Sequence, residues 1–358
     1  MKKSAKLITL ALALALLFSL AACGTEKTDS QPSDLPAQTT PSATPEATLE
    51  ATPEANPEPV TYNLGLIKGP TGMGGVFIME GAANDLYIES DNIDYEITLA
   101  AAPTDLTALL INGELDIAAL PTNVAASLYN KTEGGIQLLA LNTMGVLYIL
   151  ENGDSVQSVS DLAGKTIYAT GQGANPEFVL NHILTSNDLT PGTDVTIEWR
   201  DSDELTTLMA TGEIEICMLP VPAATAVQMK NDKVRSALDI TAEWRNSGEN
   251  SELIMGCIVA RTEFIKENPE AVSTFMKHYE ESVKKAQSDE AAAALMAEYE
   301  IVANEAIAKA AIPSANLCYI IGSDIHPTIS GYYEVLFAAD PTSIGGAIPG
   351  EEFYYREH

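Results

Sequence analysis

Residues Thr104–Lys131 read TDLTALLINGELDIAALPTNVAASLYNK, and residues Asp203–Lys230 read DELTTLMATGEIEICMLPVPAATAVQMK. At a constant offset of 99 (205 − 106), ten of the 28 positions are identical: Leu106/Leu205, Thr107/Thr206, Leu109/Leu208, Gly113/Gly212, Glu114/Glu213, Ile117/Ile216, Leu120/Leu219, Pro121/Pro220, Ala125/Ala224 and Lys131/Lys230. In the first copy Leu106, Leu109 and Leu110 recur at helical spacing, and Gly113 stands where a helix C-terminus favours a residue tolerant of positive φ. Leu115–Leu120 reads as a short buried strand, which Pro121 ends while pre-setting the first turn of the next helix. The second copy repeats this with Gly212, Ile214–Leu219 and Pro220. One helix–strand–helix unit is therefore written twice.

The same preface stands upstream of each copy: a strand, a glycine-rich turn and a helix. In the first these are Thr61–Ile67, Gly69–Gly75 and Val76–Asn84, followed by a second strand at Asp94–Ala100. In the second they are Thr166–Ala169, Gly171–Asn175 and Pro176–Leu184. Strands alternating with helices predict an α/β fold with largely parallel sheets. Duplication predicts two lobes, with Leu115–Leu120 and Ile214–Leu219 in separate sheets and hinges near Leu150 and Asn250. Leu253–Ala260 reads as a strand returning to the first lobe. Pro269–Ala286 and Asp289–Tyr299 read as long amphipathic helices, and Pro313–Tyr355 as a tail wrapping the first lobe. The predicted division is 1–22 signal, 23–59 tether, 60–149 plus 251–358 lobe I, and 150–250 lobe II.

The N-terminus is an address. Lys2, Lys3 and Lys6 precede an apolar run from Leu7 to Ala22, too short to span a bilayer, which ends in Leu20-Ala21-Ala22-Cys23. This string resembles the lipobox of bacterial lipoproteins, which implies acylation of Cys23 and a lipid-anchored protein on the extracytoplasmic face of the cell membrane. From Gly24 to Pro59 the chain holds seven Pro and seven Thr and almost no large apolar side chains. Such a composition predicts an extended, disordered tether.

Charge narrows the partners. The chain has 358 residues, with 19 Lys plus Arg against 50 Asp plus Glu and a formal charge of −31. Without the three leader lysines the balance is 16 − 50 = −34. So negative a surface repels phosphate backbones and anionic lipid heads, which excludes nucleic acid as a partner and leaves the lipid anchor as the only membrane contact. Cys217, Cys257 and Cys318 each lie in an apolar run; both free thiols and one long-range disulfide fit their spacing.

The phrases ALLINGELDIAALPTNVAASLY and SVSDLAGKTIYATGQGANPE, with the exported leader and the paired α/β lobes, resemble the substrate-binding proteins of ABC importers. The subgroup they resemble is that of the nitrate/sulfonate/taurine and thiamine-pyrimidine-precursor binders, which have the type II periplasmic-binding fold. The resemblance implies a hinged, monomeric receptor that closes over a small solute and delivers it to a permease and its ATPase. It places the ligand on loops at strand carboxyl ends: Lys68–Gly75 and Pro121–Asn123 in the first lobe, Thr170–Asn175 and Pro220–Ala223 in the second. Each loop leads into a helix N-terminus, whose free N–H groups favour an anionic or acceptor-rich ligand.

Within these loops Gly69, Gly72 and Gly171 permit close approach of the backbone. Thr71, Thr122, Asn123, Thr170, Gln172 and Asn175 offer donors, Lys68 supplies a cation, and Met73 and Val221 supply apolar wall. Thr122-Asn123 corresponds to Val221-Pro222 in the repeat, so polar readout is expected from the first lobe and the swap is expected to leave the fold intact. A heteroaromatic ligand sandwiched among Phe77, Tyr168 or Trp244 is the alternative to a small anion.

No catalytic set emerges, and no cofactor or metal is expected. Gly164-Lys165-Thr166 lacks the P-loop glycine, since that position is Val159, and Gly171-x-Gly173 meets Pro176 where its third glycine belongs. His182, His278, His326 and His358 are scattered, and no Gly-x-Ser-x-Gly elbow occurs. Binding is the expected function. The alternatives are a receptor feeding a membrane sensor and, with less support, an enzyme built on the same fold.

Overall fold

The computed structural model describes residues 58–248 and 250–356. The leader, Cys23 and nearly all of the tether lie outside them.

The first run of chain contains β1 (Val60–Ile67), α1 (Pro70–Met73), α2 (Val76–Ala83), α3 (Leu86–Asp91), β2 (Ile93–Ala100), α4 (Pro103–Asn112), β3 (Ile117–Pro121), α5 (Thr122–Lys131) and β4 (Ile136–Met144). The second contains β5 (Leu147–Asn152), β6 (Thr166–Ala169), α6 (Asn175–Ser186), β7 (Thr196–Trp199), α7 (Ser202–Thr211), β8 (Ile216–Pro220), α8 (Ala223–Lys230), β9 (Val234–Asp239) and α9 (Ile240–Asn246). A third run adds β10 (Ile254–Arg261), α10 (Thr262–Glu267), α11 (Pro269–Ser288), α12 (Ala292–Glu298), α13 (Glu305–Ala311), β11 (Leu317–Ile321) and α14 (Ile325–Ala339). These strands form two sheets, β11-β4-β10-β3-β1-β2 and β7-β6-β8-β5-β9.

The repeat sets the shape of both sheets. β3 and β8 share one burial pattern, buried throughout except at the terminal proline, as strands covered on both faces must be. Both preceding helices end on glycine in the left-handed region, Gly113 at φ 76° and Gly212 at φ 78°. A side chain there would strain the cap that lets the chain reverse into the strand.

The sheets are mixed rather than largely parallel. β1 runs parallel to β2 and β3, and β6 parallel to β7 and β8. β10 and β5 run against their neighbours. The reason is where the chain crosses. β4 ends at Met144, opposite Ile254 at the start of β10. After two intervening residues β5 begins, with Leu147 opposite Pro220 at the end of β8. A strand arriving from the other sheet at the carboxyl edge must run backwards through its new sheet. Both crossings therefore lie at the carboxyl ends of the parallel strands. The first occupies residues 145–146, ahead of Leu150, which sits within β5; the second falls between Asn246 and Ile254.

Three further readings change. Gly69–Gly75 contains the short helix α1 rather than an open turn, and the second long helix shrinks to α12. The tail does not serve the first lobe alone: β11 joins the first sheet, while α14 packs against both α6 and β10. Cys217, Cys257 and Cys318 are free thiols, and burial pushes Cys217 and Cys318 up to about 12.

Far from the crossings, each sheet is fastened by a buried carboxylate. In the first, Asp116 accepts from Arg261 Nη2 (2.7 Å) and from both the backbone and side chain of Asn63 (3.0 Å each). In the second, Glu151 accepts from Arg235 Nη2, from the Ser155 N–H and hydroxyl (2.8 and 2.6 Å) and from the Val156 N–H (3.1 Å).

Candidate ligand site at the strand carboxyl ends

Because both crossings lie at carboxyl edges, the loops after β1, β3, β6 and β8 all belong to the edges where the two sheets are joined. Ligands in open α/β sheets bind outside such ends. The helices α2, α5, α6 and α8 start there without a side-chain cap, and the longest of them are α5 after Pro121 and α6 after Ala174, of 10 and 12 residues. Their first-turn N–H groups are thus not occupied by side chains at the N-cap.

The predicted residues divide into those left free and those held by the fold. Thr122 is held. It is fully buried, its hydroxyl donates to the Ile254 carbonyl (2.7 Å), and its own carbonyl accepts from Tyr333 Oη (3.0 Å). It fixes the first turn of α5 and has no side-chain donor to offer a ligand. Asn123, the next residue, is half-buried and remains at that turn.

After β1, Gly72 and Met73 belong to the core. A Cβ on Gly72 would fall on the Ile67 carbonyl, and Met73 packs in the first-sheet apolar cluster. Lys68 forms an exposed ion pair with Glu300 (3.1 Å), while the Gly69 N–H donates to the Ile301 carbonyl (3.0 Å). Thr71 keeps a half-exposed side chain; its carbonyl accepts from Asn142 Nδ2 (3.0 Å). Asn142, buried beside it, also donates to Tyr279 Oη (2.8 Å) and accepts from Thr143 (3.0 Å).

After β6, Gly171 sits at φ 85° and the Gly173 N–H donates to Glu177 (2.6 Å), which closes the turn. Thr170 is half-buried and Gln172 exposed. Asn175, 4% exposed, carries a buried Oδ1 without a hydrogen-bond partner. After β8, Val221 is not a free wall. It is buried in the first-sheet cluster, and its N–H donates to the Val146 carbonyl (3.0 Å). Of the candidate aromatics, Trp244 is fully buried with Nε1 donating to the Ser251 carbonyl (3.0 Å), so it belongs to the core. Phe77 and Tyr168 are partly buried and pack on different clusters.

The polar groups at the crossings leave no mark in the local sequence pattern. Tyr148 Oη donates to the Ser314 carbonyl (3.3 Å), and Asn316 Nδ2 donates to the Gly145 carbonyl (2.6 Å). Burial and the Asp239 carboxylate raise the Tyr148 phenol above its ordinary value, partly offset by hydrogen bonding to Ser314 and Asn316. Tyr148 reads as one more apolar residue of a strand, and its partners come from a segment 166 residues away.

Cavities of about 980 and 400 Å³ lie elsewhere, along α11 and the C-terminal segment beside Ser273, Tyr355 and Arg356, and one of about 650 Å³ lies between α4, α5 and α10 beside Leu110, Leu128 and Lys266. None of the loop residues lines them. The loops are the better candidate on physical grounds. Cavities along helix flanks face backbone groups already paired within the helix, whereas the loops present uncapped helix starts. Among the described residues no group of three or more His, Cys, Asp or Glu is placed to hold a metal, and no helix is long and apolar enough to cross a membrane.

The NMT1/THI5-like family profile matches residues 81–293, more than half of the chain and both copies of the repeat. The chain belongs to this NMT1/THI5-like family. Its fold is that of the type II periplasmic-binding proteins. An ABC transporter structure from Parabacteroides distasonis superposes with a TM-score of 0.69 at 20% identity, over 84% of this chain and 100% of that one. The periplasmic aliphatic sulphonate binding protein SsuA of Escherichia coli gives 0.67 at 14%, over 84% and 93%. The alkanesulfonate-binding protein SsuA of Xanthomonas axonopodis pv. citri, bound to MOPS, gives 0.57 at 14%, over 82% and 96%. No curated relative matches the sequence. In this NMT1/THI5-like chain the repeat supplies both halves of the fold, and the loops after β1, β3, β6 and β8 supply the candidate site.

Proposed function

We propose that this protein is the extracytoplasmic solute-binding lipoprotein of an ABC importer, anchored through Cys23, and that it passes a small polar or anionic solute to a permease driven by its ATPase. The observation that carries this reading is the pair of uncapped helix starts, α5 and α6, at strand carboxyl ends of two sheets whose crossings, among the described residues, lie at those ends. The two sheets with their helices act as lobes, turning about the two crossings. Thr71, Asn123, Thr170, Gln172 and Asn175 meet the solute; Thr122, Gly72, Met73 and Val221 shape the loops from behind. Binding without turnover is the activity.

The sulfonates named for two of the similar structures set the first probes. Calorimetric titration of the chain with MOPS, short alkanesulfonates, nitrate and thiamine-precursor pyrimidines should find one class that binds at a single site. Asn123→Ala should then weaken that binding about tenfold, as loss of a hydrogen bond to a buried charged ligand does. Binding that survives Asn123→Ala and Asn175→Ala together would move the site off these loops. Chemical conversion of the bound probe would overturn the binding-only reading.

A further inference from the structure

α14 carries two adjacent tyrosines, and both are fully buried. Neighbouring residues of a helix point about 100° apart, so one helix can serve two surroundings. Tyr333 faces α5: its hydroxyl donates to the Thr122 carbonyl (3.0 Å) at the first turn of that helix. Tyr332 faces the second sheet: its ring meets the indole of Trp244 on α9 edge-on, with centroids 5.6 Å apart. Trp244 in turn lies 4.9 Å from the ring of His182 on α6. The Tyr332 hydroxyl lies beside Thr122, whose side chain offsets part of the rise that burial imposes on this phenol, but it makes no hydrogen bond within normal geometry. α14 also packs along α6 and β10. It therefore touches the turn that leads into α5, and the helix whose uncapped start is the other half of the candidate site.

We propose that α14 is a strut that positions the ligand-facing first turn of α5 and couples it to the second lobe, with Tyr333 and Tyr332 as its positioning residues. The proposal rests on the binding reading above for what that turn does, but not for the contact itself. Tyr333 holds the Thr122 carbonyl from one side while the Thr122 hydroxyl holds the Ile254 carbonyl from the other. The turn is thereby aimed by two bonds from outside its own helix. A solute that draws on the free N–H groups of this turn pulls on Tyr333, and Tyr332 on the same helix transmits the displacement to Trp244.

The test uses the full chain carrying Trp199→Phe, which leaves Trp244 as the single indole of the two in the sequence. Amide hydrogen exchange without ligand comes first. Tyr333→Phe should speed exchange of the α5 amides that bond within the helix to its first-turn carbonyls, Ala126 first, by roughly three- to tenfold, the effect of losing one ordinary hydrogen bond, with the strands unchanged. Tyr332→Phe keeps the ring against Trp244 and should match the parent. Titration with MOPS follows, read by calorimetry and by Trp244 emission. The parent should bind with a change of emission, and Tyr333→Phe should bind roughly three- to tenfold more weakly with that change reduced.

Unchanged α5 exchange in Tyr333→Phe, at an unchanged melting temperature, overturns the strut even if MOPS binds well. Emission that stays constant while calorimetry shows saturation overturns the coupling to the second lobe. If MOPS does not bind the parent, sulfonate binding fails, and the exchange result still decides the strut. Should Tyr333→Phe melt lower throughout, α5 must still exchange faster relative to β3 and β4 than in the parent, and an acceleration shared equally by those strands overturns the proposal.

Discussion

The Glu151 clasp of the second sheet allows a perturbation whose size can be worked out from its contacts. The Glu151 side chain is 3% exposed, and its two oxygens take four hydrogen bonds, one of them from Arg235. Arg235 also donates through Nε to the Gly153 carbonyl (2.9 Å) and through Nη2 to Val156. Breaking a buried ion pair by removing one partner costs about 3–5 kcal/mol. Here Arg235→Met leaves the carboxylate three donors, and Arg235 is itself about a third exposed, which weakens the pair. The expected loss is therefore about 2–3 kcal/mol at neutral pH. Burial alone would raise the Glu151 pKa, but Ser155, Val156 and Arg235 together hold it below its ordinary value. A carboxylate with a depressed folded pKa gives stability that is whole above its unfolded value of 4.5 and lost as pH falls through the folded one. The gap between parent and Arg235→Met should thus close on acidification below pH 4.5. Urea unfolding at pH 7 and at descending pH measures it. A gap under about 1 kcal/mol at pH 7, or one that keeps its size in acid, would refute the reasoning.

Three other outcomes follow from the same contacts. Gly212→Ala, at φ 78°, should lower stability by about 1 kcal/mol and Gly113→Ala by a similar amount, both visible in urea midpoints, because each cap needs the left-handed region. Lys68→Ala should change stability by less than about 1 kcal/mol, since its pair with Glu300 is exposed; a large loss of solute affinity from the same variant would give Lys68 a ligand role instead. His278, packed against Tyr87 and Tyr95 and bonded to Asp91 (3.2 Å), has its pKa lowered by burial despite that carboxylate. A base with a depressed folded pKa binds fewer protons folded than unfolded, so stability should fall as pH drops below about 6.5, and His278→Gln should flatten that part of the pH profile.

The repeat was legible because duplication leaves periodic apolar residues, a glycine cap and a strand-ending proline at a fixed offset, and these are local signals. The sheet directions were not. Parallel strands are announced by intervening helices, but β5 and β10 run backwards because of where the chain crosses, and nothing within LYILEN or IMGCIVAR records that. In the site, the glycines and polar residues of the turns were visible, yet which of them face outward was not. Thr71 and Met73 are two residues apart in α1; one is half-exposed and the other is core. Lys68 looked like a lone cation until Glu300 arrived from 232 residues away. Partners at that distance leave no trace in local pattern.

The Thr122-Asn123 turn shows how two copies of one unit come to differ, and the difference reverses an expectation. Equivalent positions in the repeat suggested that Val and Pro could replace Thr122 and Asn123 without harm, since Val221 and Pro222 occupy the matching turn. The helices, however, do not begin at matching places. α5 starts at Thr122, whereas α8 starts at Ala223, which at the 99-residue offset corresponds to Val124. Val221 thus precedes its helix, where a following proline is tolerated, but Thr122 already has helical geometry, and a proline after it pushes that residue out of the α region. Val at 122 also deletes the buried donor to the Ile254 carbonyl, which costs about 1–3 kcal/mol if nothing replaces it. Thr122→Val alone should therefore lose about 1–2 kcal/mol, and the double change distinctly more, with the loss centred on the first turn of α5. Urea unfolding of the single and double variants, with circular dichroism to follow the helices, decides it. A double variant within about 0.5 kcal/mol of the parent would mean that the turn is as interchangeable as the sequence repeat implies, and that neither the Ile254 bond nor the earlier helix start matters to the fold.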